Sequence, residues 1–396
     1  MNTERTQKPV ASLALVLALG IVARLACSFA GHNFDAESYR IVADILARGS
    51  NVYAETARYN YGPPWFLILR GLDLLPGFGL APLEALHLKV AALLTGVDVA
   101  ICLLLRRQFG ARAAALFFLN PVSILITGFH GQFDNLAVLV ALVAVEVMGD
   151  AAEGPERRIG RWLAGLALVG LSLSVKHLLF LFPAWLALKE PNWRRKLVAG
   201  LLPVAVFALS FVPWLGQGWA GILDHVIGYR SFANAPVWQV LLPQVLFGWL
   251  PLTLPFVVAL ALLGVALRGR GRGESLLAYL VALVVFAPAI ANQYLAIPIA
   301  AMAVWWNRPF RLYTAVATGF ILVQADGLGL ARLIDPRLTL YGATTQQAYI
   351  ACTVLLGFGL ATVLLPQAAR DRLVCWRREA GAWLEREIAV QLRAPL

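Results

Sequence analysis

The chain has 396 residues, of which 60% are hydrophobic and only 14% are charged, and its mean hydropathy is +0.73. Apolar runs of roughly 18 residues or more recur along it, which indicates a polytopic helical membrane protein and excludes an ordinary soluble domain. The formal net charge of +11 is spread over short turns between these runs, which excludes a continuous nucleic-acid-binding face.

The basic residues predict which side of the membrane each turn occupies. Most of the 33 Lys and Arg residues fall in seven places, namely the N-terminus, 106–112, 156–161, 189–196, 268–274, 307–311 and the tail from 370. Basic turns mark the cytoplasmic side. Both termini are therefore predicted to be cytoplasmic, and the apolar stretches pair into six excursions that cross outwards and return. This gives an all-α integral membrane fold of about twelve helical segments.

The domain organisation follows from the same pattern. Residues 1–369 are predicted to form a single transmembrane domain, which includes an extracytoplasmic loop over 31–81. Residues 370–396 read as a basic amphipathic helix, which is typical of a tail lying on the inner membrane surface.

The first excursion rises at 11–30, crosses the polar loop and returns at 86–105. Within the loop, the apolar period over 36–48 predicts an interfacial helix, and the apolar patch over 63–77 predicts a second one. Asp35 directly precedes the first of these helices. One interpretation is that Asp35 caps the helix; the other is that it does chemistry, and the two roles are compatible.

The second excursion rises at 113–128 and turns at the polar sequence HGQFDN, 130–135. His130, Gln132 and Asp134 are concentrated there, at the outer end of the excursion. They are candidates for contacting a ligand, and the structural alternative is that Asp134 only caps the helix that follows.

The third and fifth excursions are short. Each arm has about 11–13 residues, or roughly 16–20 Å of helix, against a hydrocarbon core of roughly 30 Å. Their apexes, Lys176-His177 and Asn292-Gln293-Tyr294, would then lie within membrane depth, where polar groups face protein or a water-filled cavity. The alternative is a tilted, kinked pair that reaches the surface by thinning the bilayer.

Several isolated charged residues remain. Lys176 has no acidic residue near it in sequence, so it either reaches lipid headgroups or holds a phosphate. Arg24, in the outer third of the first span, is a candidate for an anion site. Asp98 lies in an apolar run and needs a partner that the sequence does not name. His225 is a weaker candidate in the fourth outer loop.

Five short motifs together resemble one family. FDAESY, YNYGPPW, HGQFDN, SVKHLLFLFP and QYLAIPI resemble the GT-C superfamily of polyprenyl-phosphate-sugar-dependent glycosyltransferases. The nearest types are the dolichyl-phosphate-glucose glucosyltransferases and the bacterial and mycobacterial polyprenyl-phosphate-mannose mannosyltransferases. The resemblance implies a GT-C-type bundle with interfacial helices in the first outer loop and a cavity that faces the same side.

The resemblance also implies roles. Asp35 becomes the general base of an inverting transfer, which takes the acceptor's proton as attack proceeds. The donor phosphate and lipid, which need positive charge and hydrogen-bond donors, are assigned to Lys176, His177, Arg58, Arg24 and Tyr61. The sugar or acceptor is assigned to Glu37, His130, Gln132, Asp134, Gln293, Tyr294 and His225.

Members of the family often carry two acidic residues in this loop, and here they are Asp35 and Glu37. Residues at i and i+2 of a helix do not share a face, so Glu37 is expected to be a first-turn charge. A metal held by both carboxylates is the alternative. The resemblance favours an enzyme without metal or other cofactor.

The resulting prediction is a hexosyltransferase of the bacterial inner membrane. It would move a hexose, mannose or glucose foremost, from a polyprenyl phosphate to an extracytoplasmic glycolipid or polysaccharide, among membrane lipids and without nucleic acid. The alternatives are a twelve-span transporter or flippase of lipid-linked sugars, a non-catalytic membrane subunit and a membrane acyltransferase. A transporter predicts two similar halves, and the sequence shows no internal repeat.

Overall fold

The computed structural model describes residues 12–149, 155–229, 234–242, 251–324, 327–330 and 343–365. Every regular element in these ranges is helical, as the hydropathy pattern predicts. Three helices are long and apolar enough to cross a membrane, or up to five if each of two bent pairs counts as one span. The predicted tail, 370–396, lies outside the described residues.

The first span continues into the outer loop through a sharp bend. Helix α1 runs over Leu13–Phe29 and helix α2 over Phe34–Ala47, and their axes meet at 81°. The bend passes through Gly31, whose φ of +137° suits glycine. Asn33 is the N-cap of α2, and its side chain accepts a hydrogen bond from the Asp35 backbone N–H.

Asp35 therefore lies in the first turn of α2, and the interpretation of Asp35 as the cap is wrong. The helix starts two residues earlier than the predicted 36–48 because Asn33 takes the capping position. Its end agrees with the prediction, since Gly49 follows with φ +74° in the left-handed region.

The second predicted interfacial helix is also present. After a short helix α3, Val52–Glu55, helix α4 covers Pro63–Asp73 and packs against α2. Tyr39 meets Trp65 edge to face with ring centroids 5.5 Å apart. Arg40 forms an ion pair with Asp73 and lowers the pKa of that carboxyl. The outer loop is thus a folded pair of helices.

The next four helices form the centre of the bundle. Helix α5 covers Pro82–Phe109, and α6 covers Ala111–Phe118. Helix α7, Pro121–Leu125, continues as a π-helical turn to His130, and α8 covers Asp134–Met148. With 28 residues, α5 extends ~42 Å from the outer loop to the first basic turn.

The third excursion differs from its prediction. Its rising helix, α9, covers Pro155–Val175 and has 21 residues, because it also includes the basic turn at 156–161. Its apolar part, Ile159–Val175, is still shorter than a membrane-spanning helix. The return is short, with a 3-10 turn over His177–Leu179 and a seven-residue helix α10, Phe182–Leu188.

The remaining helices complete the described part of the bundle. In chain order they are α11 Trp193–Ser210, a 3-10 turn Val212–Trp214, α12 Leu215–Gly221 with a π-helical turn to Ile227, α13 Pro236–Leu241, α14 Thr253–Ala266, α15 Arg272–Phe286, a 3-10 turn Asn292–Ala296, α16 Ile299–Val304, α17 Arg308–Val323 and α18 Ala343–Leu364. The fifth excursion is short as predicted, since α15 has 15 residues and α16 only six.

Three of the basic segments predicted to be cytoplasmic meet at one end of the bundle. Arg107 pairs with Glu146 at 3.0 Å. Arg272 pairs with Glu190 at 2.9 Å and donates to the Gly149 carbonyl. These three basic segments therefore lie at the end of α5 opposite the outer loop, which is the arrangement that one-sided positive charge predicts for them.

A buried ion pair ties the centre of the bundle together. Arg24 Nε lies 2.8 Å from Asp98 Oδ2, and both side chains are fully buried. Arg24 also donates to Ser123, while Asp98 accepts from Thr127 and Asn135. Arg24 is thus the partner that Asp98 needs, and the network joins α1, α5, α7 and α8.

We predict that Arg24→Met destabilises the protein by about 3–5 kcal/mol, because it leaves the Asp98 carboxylate buried without its cation. The measurement is thermal unfolding of the purified protein in detergent. The double variant Arg24→Met/Asp98→Asn should lose less than Arg24→Met alone. Arg48→Met is the control, because it removes the exposed ion pair with Glu55 and should cost less than about 1 kcal/mol. Equal losses for Arg24→Met and Arg48→Met would contradict the prediction.

Candidate functional site

The Asp35 carboxylate is held by two amides at the loop end of the bundle. Its Oδ2 accepts a hydrogen bond from Asn33 Nδ2 at 3.0 Å and another from Gln132 Nε2. Its Oδ1 receives no hydrogen bond within the described part of the chain, and the side chain is partly exposed. One oxygen is therefore fixed in place, and the other is available to a ligand.

Asn33 connects Asp35 to His130. The Asn33 amide nitrogen also lies 2.9 Å from His130 Nδ1. Since that nitrogen is a donor, Nδ1 must accept and the ring proton is placed on Nε2. Sequence reasoning missed Asn33, although an Asn just before a helical period is a recognisable N-cap signal. The same residue caps α2 and orients its first carboxylate.

Lys176 is paired with Asp134. The Lys176 Nζ lies 2.6 Å from Asp134 Oδ2, and the side chains are 4% and 2% exposed. The interpretation that Lys176 reaches lipid headgroups is therefore wrong. The interpretation of Asp134 as a cap is wrong too, because Asp134 is the first residue of α8 and its carboxylate bonds Lys176.

Aromatic rings pack against the cation of this ion pair. The Lys176 ammonium lies 5.0 Å from the centre of the Tyr61 ring and 4.9 Å from that of Phe133. Phe133 stacks on Trp65 with centroids 4.1 Å apart. A cation next to ring faces keeps a favourable electrostatic contact, so Lys176 has two kinds of partner in its buried position.

A glycine allows the outer loop to approach Lys176. Gly62 lies so close to the backbone of Ser174 that a Cβ at this position would overlap the Ser174 carbonyl oxygen. Gly62 is also the N-cap of α4 and follows Tyr61 directly. The contact therefore fixes Tyr61 against the turn that carries Lys176 and His177.

The apex of the fifth excursion meets the HGQFDN turn. The 3-10 turn over Asn292–Ala296 contacts both the π-helical turn and α8. Gln293 and Tyr294 are partly buried on it. Ala296 lines a small cavity together with Gln132 and Asp134. These two polar segments therefore lie next to each other in the fold.

Arg58 and Glu37 form a separate pair at the rim. Arg58 Nη2 lies 3.5 Å from Glu37 Oε2, and the guanidinium covers the Phe34 ring at 3.7 Å. Arg58 also donates to Ser38. Glu37 is thus directed away from the amides that hold Asp35, as the i, i+2 spacing predicts.

The other predicted site residues are more scattered. The His177 ring lies 6.5 Å from Tyr61 and is partly exposed. His225 lies in the π-helical turn after α12, a helix that packs against α3. Arg24 is committed to Asp98 and has no exposed surface, so we leave it out of the phosphate site proposed below. No group of three or more His, Cys, Asp or Glu among the described residues is arranged to hold a metal.

Comparisons with known proteins identify similar solved structures only. No protein-family model and no curated protein matches the chain. A crystal structure of ArnT from Cupriavidus metallidurans in the apo state has 20% identity and a TM-score of 0.49, over 89% of this chain and 76% of that one. ArnT bound to undecaprenyl phosphate has the same identity and TM-score, over 90% and 77%. Similarity at this level assigns no role to any residue of this chain.

We predict that Gly62→Ala destabilises the protein by about 1–3 kcal/mol, because its methyl group forces the Tyr61 loop away from Ser174. Thermal unfolding in detergent, followed by tryptophan fluorescence, measures the change. Gly71→Ala is the matched control, since a Cβ there meets open space within α4 and should be neutral or stabilising by up to about 1 kcal/mol. The close approach is refuted if both variants unfold at the wild-type temperature.

Proposed function

We propose that the chain is an integral membrane glycosyltransferase of the GT-C type. It would transfer a monosaccharide, a hexose such as mannose or glucose, from a polyprenyl phosphate to a hydroxyl group of an extracytoplasmic glycolipid or polysaccharide. The observation that supports it most is the Asp35 carboxylate, which has one oxygen held by two amides and the other open.

This geometry suits a general base. In an inverting transfer the acceptor oxygen forms a bond to the anomeric carbon while the bond to the phosphate oxygen breaks. The acceptor proton passes to the base, and the phosphate leaves with the bonding electron pair. Asp35 Oδ1 is the atom placed to take that proton, while Asn33 and Gln132 prevent the carboxylate from rotating.

The leaving phosphate needs positive charge and hydrogen-bond donors. Lys176 supplies a cation next to Tyr61, and His177 follows on the same turn. Because Lys176 is paired with Asp134, a phosphate would share the ammonium with that carboxylate. Arg58 is a second cation at the rim, where Glu37 partly neutralises it.

A polyprenyl tail would lie against the apolar helices near the third and fifth excursions. For experiments we choose undecaprenyl phosphate, the ligand of one ArnT structure, as the carrier. Transfer is favoured over transport by position, since Asp35 and the HGQFDN turn lie at the loop end of the bundle. A flippase needs polar sites that open alternately to both sides.

We predict that Asp35→Asn abolishes sugar transfer, with a loss of at least about 100-fold in rate, and leaves carrier binding within about twofold of wild type. The measurements are transfer from a synthetic undecaprenyl phosphate mannose or glucose and calorimetric binding of undecaprenyl phosphate. Asp44→Asn is the control, because it removes an exposed carboxylate on the same helix. Full transfer activity in Asp35→Asn would exclude Asp35 as the base.

We also predict that Lys176→Met weakens binding of undecaprenyl phosphate at least tenfold, because the phosphate loses its buried cation. This substitution alone leaves Asp134 buried and unpaired, so the double variant Lys176→Met/Asp134→Asn accompanies it. Both variants should bind weakly, and the double variant should unfold at the higher temperature. Unchanged carrier affinity in the double variant would move the phosphate site elsewhere.

A further inference from the structure

A small cavity with a mixed polar and apolar lining lies between α5, the π-helical turn, α8 and the return of the fifth excursion. It has a volume of about 20 Å³ and is lined by polar and apolar side chains, including Gln132, Asp134 and Asn135. Gln132 and Asp134 are each only 1% exposed. Gln132 also donates to Asp35, so a single amide separates the cavity from the proposed base.

Three buried oxygens on this wall lack hydrogen bonds. Gln132 Oε1, Asp134 Oδ1 and Asn135 Oδ1 have no partner among the residues that the structure describes. The hydrogen-bond partners fix which amide atom is nitrogen and which is oxygen, because a carboxylate can only accept. Gln132 Nε2 donates to Asp35 and Asn135 Nδ2 donates to Asp98, which leaves each amide oxygen facing the other way. All three unpartnered atoms are therefore acceptors, and buried acceptors of this kind require a donor or a cation.

The number of acceptors exceeds what one water can satisfy. A cavity needs roughly 10–15 Å³ to hold one water, so a volume of about 20 Å³ holds one small particle. A single water has two protons and leaves one of the three oxygens without a donor. A small cation, in contrast, can take three or more oxygen ligands.

The charges around the cavity also favour a cation. Three carboxylates lie on or near the cavity. Asp98 and Asp134 line it, and Asn135 donates to Asp98. Asp35 is connected to it through Gln132, which donates to Asp35. The three carboxylates are matched by two cations, Arg24 and Lys176. With all of them ionised the group carries one net negative charge, which belongs to the partly exposed Asp35 because Asp98 and Asp134 are already paired. One monovalent cation makes the group neutral, whereas a divalent ion leaves an excess positive charge.

We propose that this cavity binds one monovalent alkali cation, sodium in the first instance, through Gln132 Oε1, Asp134 Oδ1 and Asn135 Oδ1. Amide and carboxylate oxygens are hard ligands that suit such an ion. A cation on Gln132 Oε1 also polarises the amide, which strengthens its Nε2–H bond to Asp35. The site thus acts on Asp35 without contacting it.

The test is direct binding of sodium-22 to the purified full-length protein in detergent, with choline chloride keeping the ionic strength constant. We expect saturable binding that approaches one sodium per chain and is displaced by unlabelled sodium. Asp134→Asn keeps the shape but removes the charge, so it should bind at least tenfold more weakly. Asp44→Asn, on the exposed surface of α2, should bind as wild type does.

Absence of saturable sodium binding to the wild-type protein overturns the proposal, whether or not Asp134→Asn folds. Unchanged binding in a folded Asp134→Asn variant places sodium elsewhere and also overturns it. Displacement of sodium by an equal concentration of magnesium would contradict the monovalent assignment. No sugar donor is present in these measurements, so their outcome is independent of the proposed transfer reaction.

Discussion

Arg24 and Lys176 lie inside the helical bundle, and each is neutralised by a carboxylate far away in sequence. Arg24 bonds Asp98 across 74 positions, and Lys176 bonds Asp134 across 42. In a low-dielectric interior an unpaired charge is strongly disfavoured, so each pair acts as a constraint on which helices can be neighbours. The first pair joins α1 to α5, and the second joins the end of α9 to the start of α8.

The candidate site depends on these two constraints. The Arg24 network holds α7 and α8 against α1 and α5, and the turn between α7 and α8 carries Gln132. Gln132 can therefore reach Asp35 from a different excursion. The Lys176 pair brings the next excursion to the same place, where Gly62 lets the outer loop close over it. Four segments of the chain converge on one polar region at the loop end of the bundle.

Asp35 differs from the other buried or half-buried carboxylates of this region. Asp98 and Asp134 are each bonded to a cation, and so their charge is already used. Asp35 is held by neutral amides from Asn33 and Gln132, which fix its orientation without compensating its charge. A carboxylate in this state can still accept a proton or contribute to binding a cation, and this property distinguishes it from a structural residue.

Much of the fold was predictable because it depends on local pattern. Apolar runs located the helices, and the turn residues located Gly49 and the HGQFDN turn. The errors fell where two residues of similar propensity compete or where a helix extends past its apolar run. Asn33 caps α2 in place of Asp35, and α9 begins at Pro155, ahead of the basic turn that it includes. A propensity scale ranks Asn and Asp alike as caps, so the sequence left that choice open.

By itself, the sequence determined that this is a helical membrane protein and where its polar segments lie. It also predicted which side each basic turn faces. These features follow from hydropathy and charge, which can be read from the order of residues along the chain. Only the tertiary structure decided the pairing of Lys176 with Asp134 and of Arg24 with Asp98. It also decided that Gln132 donates a hydrogen bond to Asp35, whereas Glu37 pairs with Arg58. The physical reason is that these choices depend on distances between helices, and an isolated stretch of sequence carries no information about which distant charge will be within reach to neutralise it.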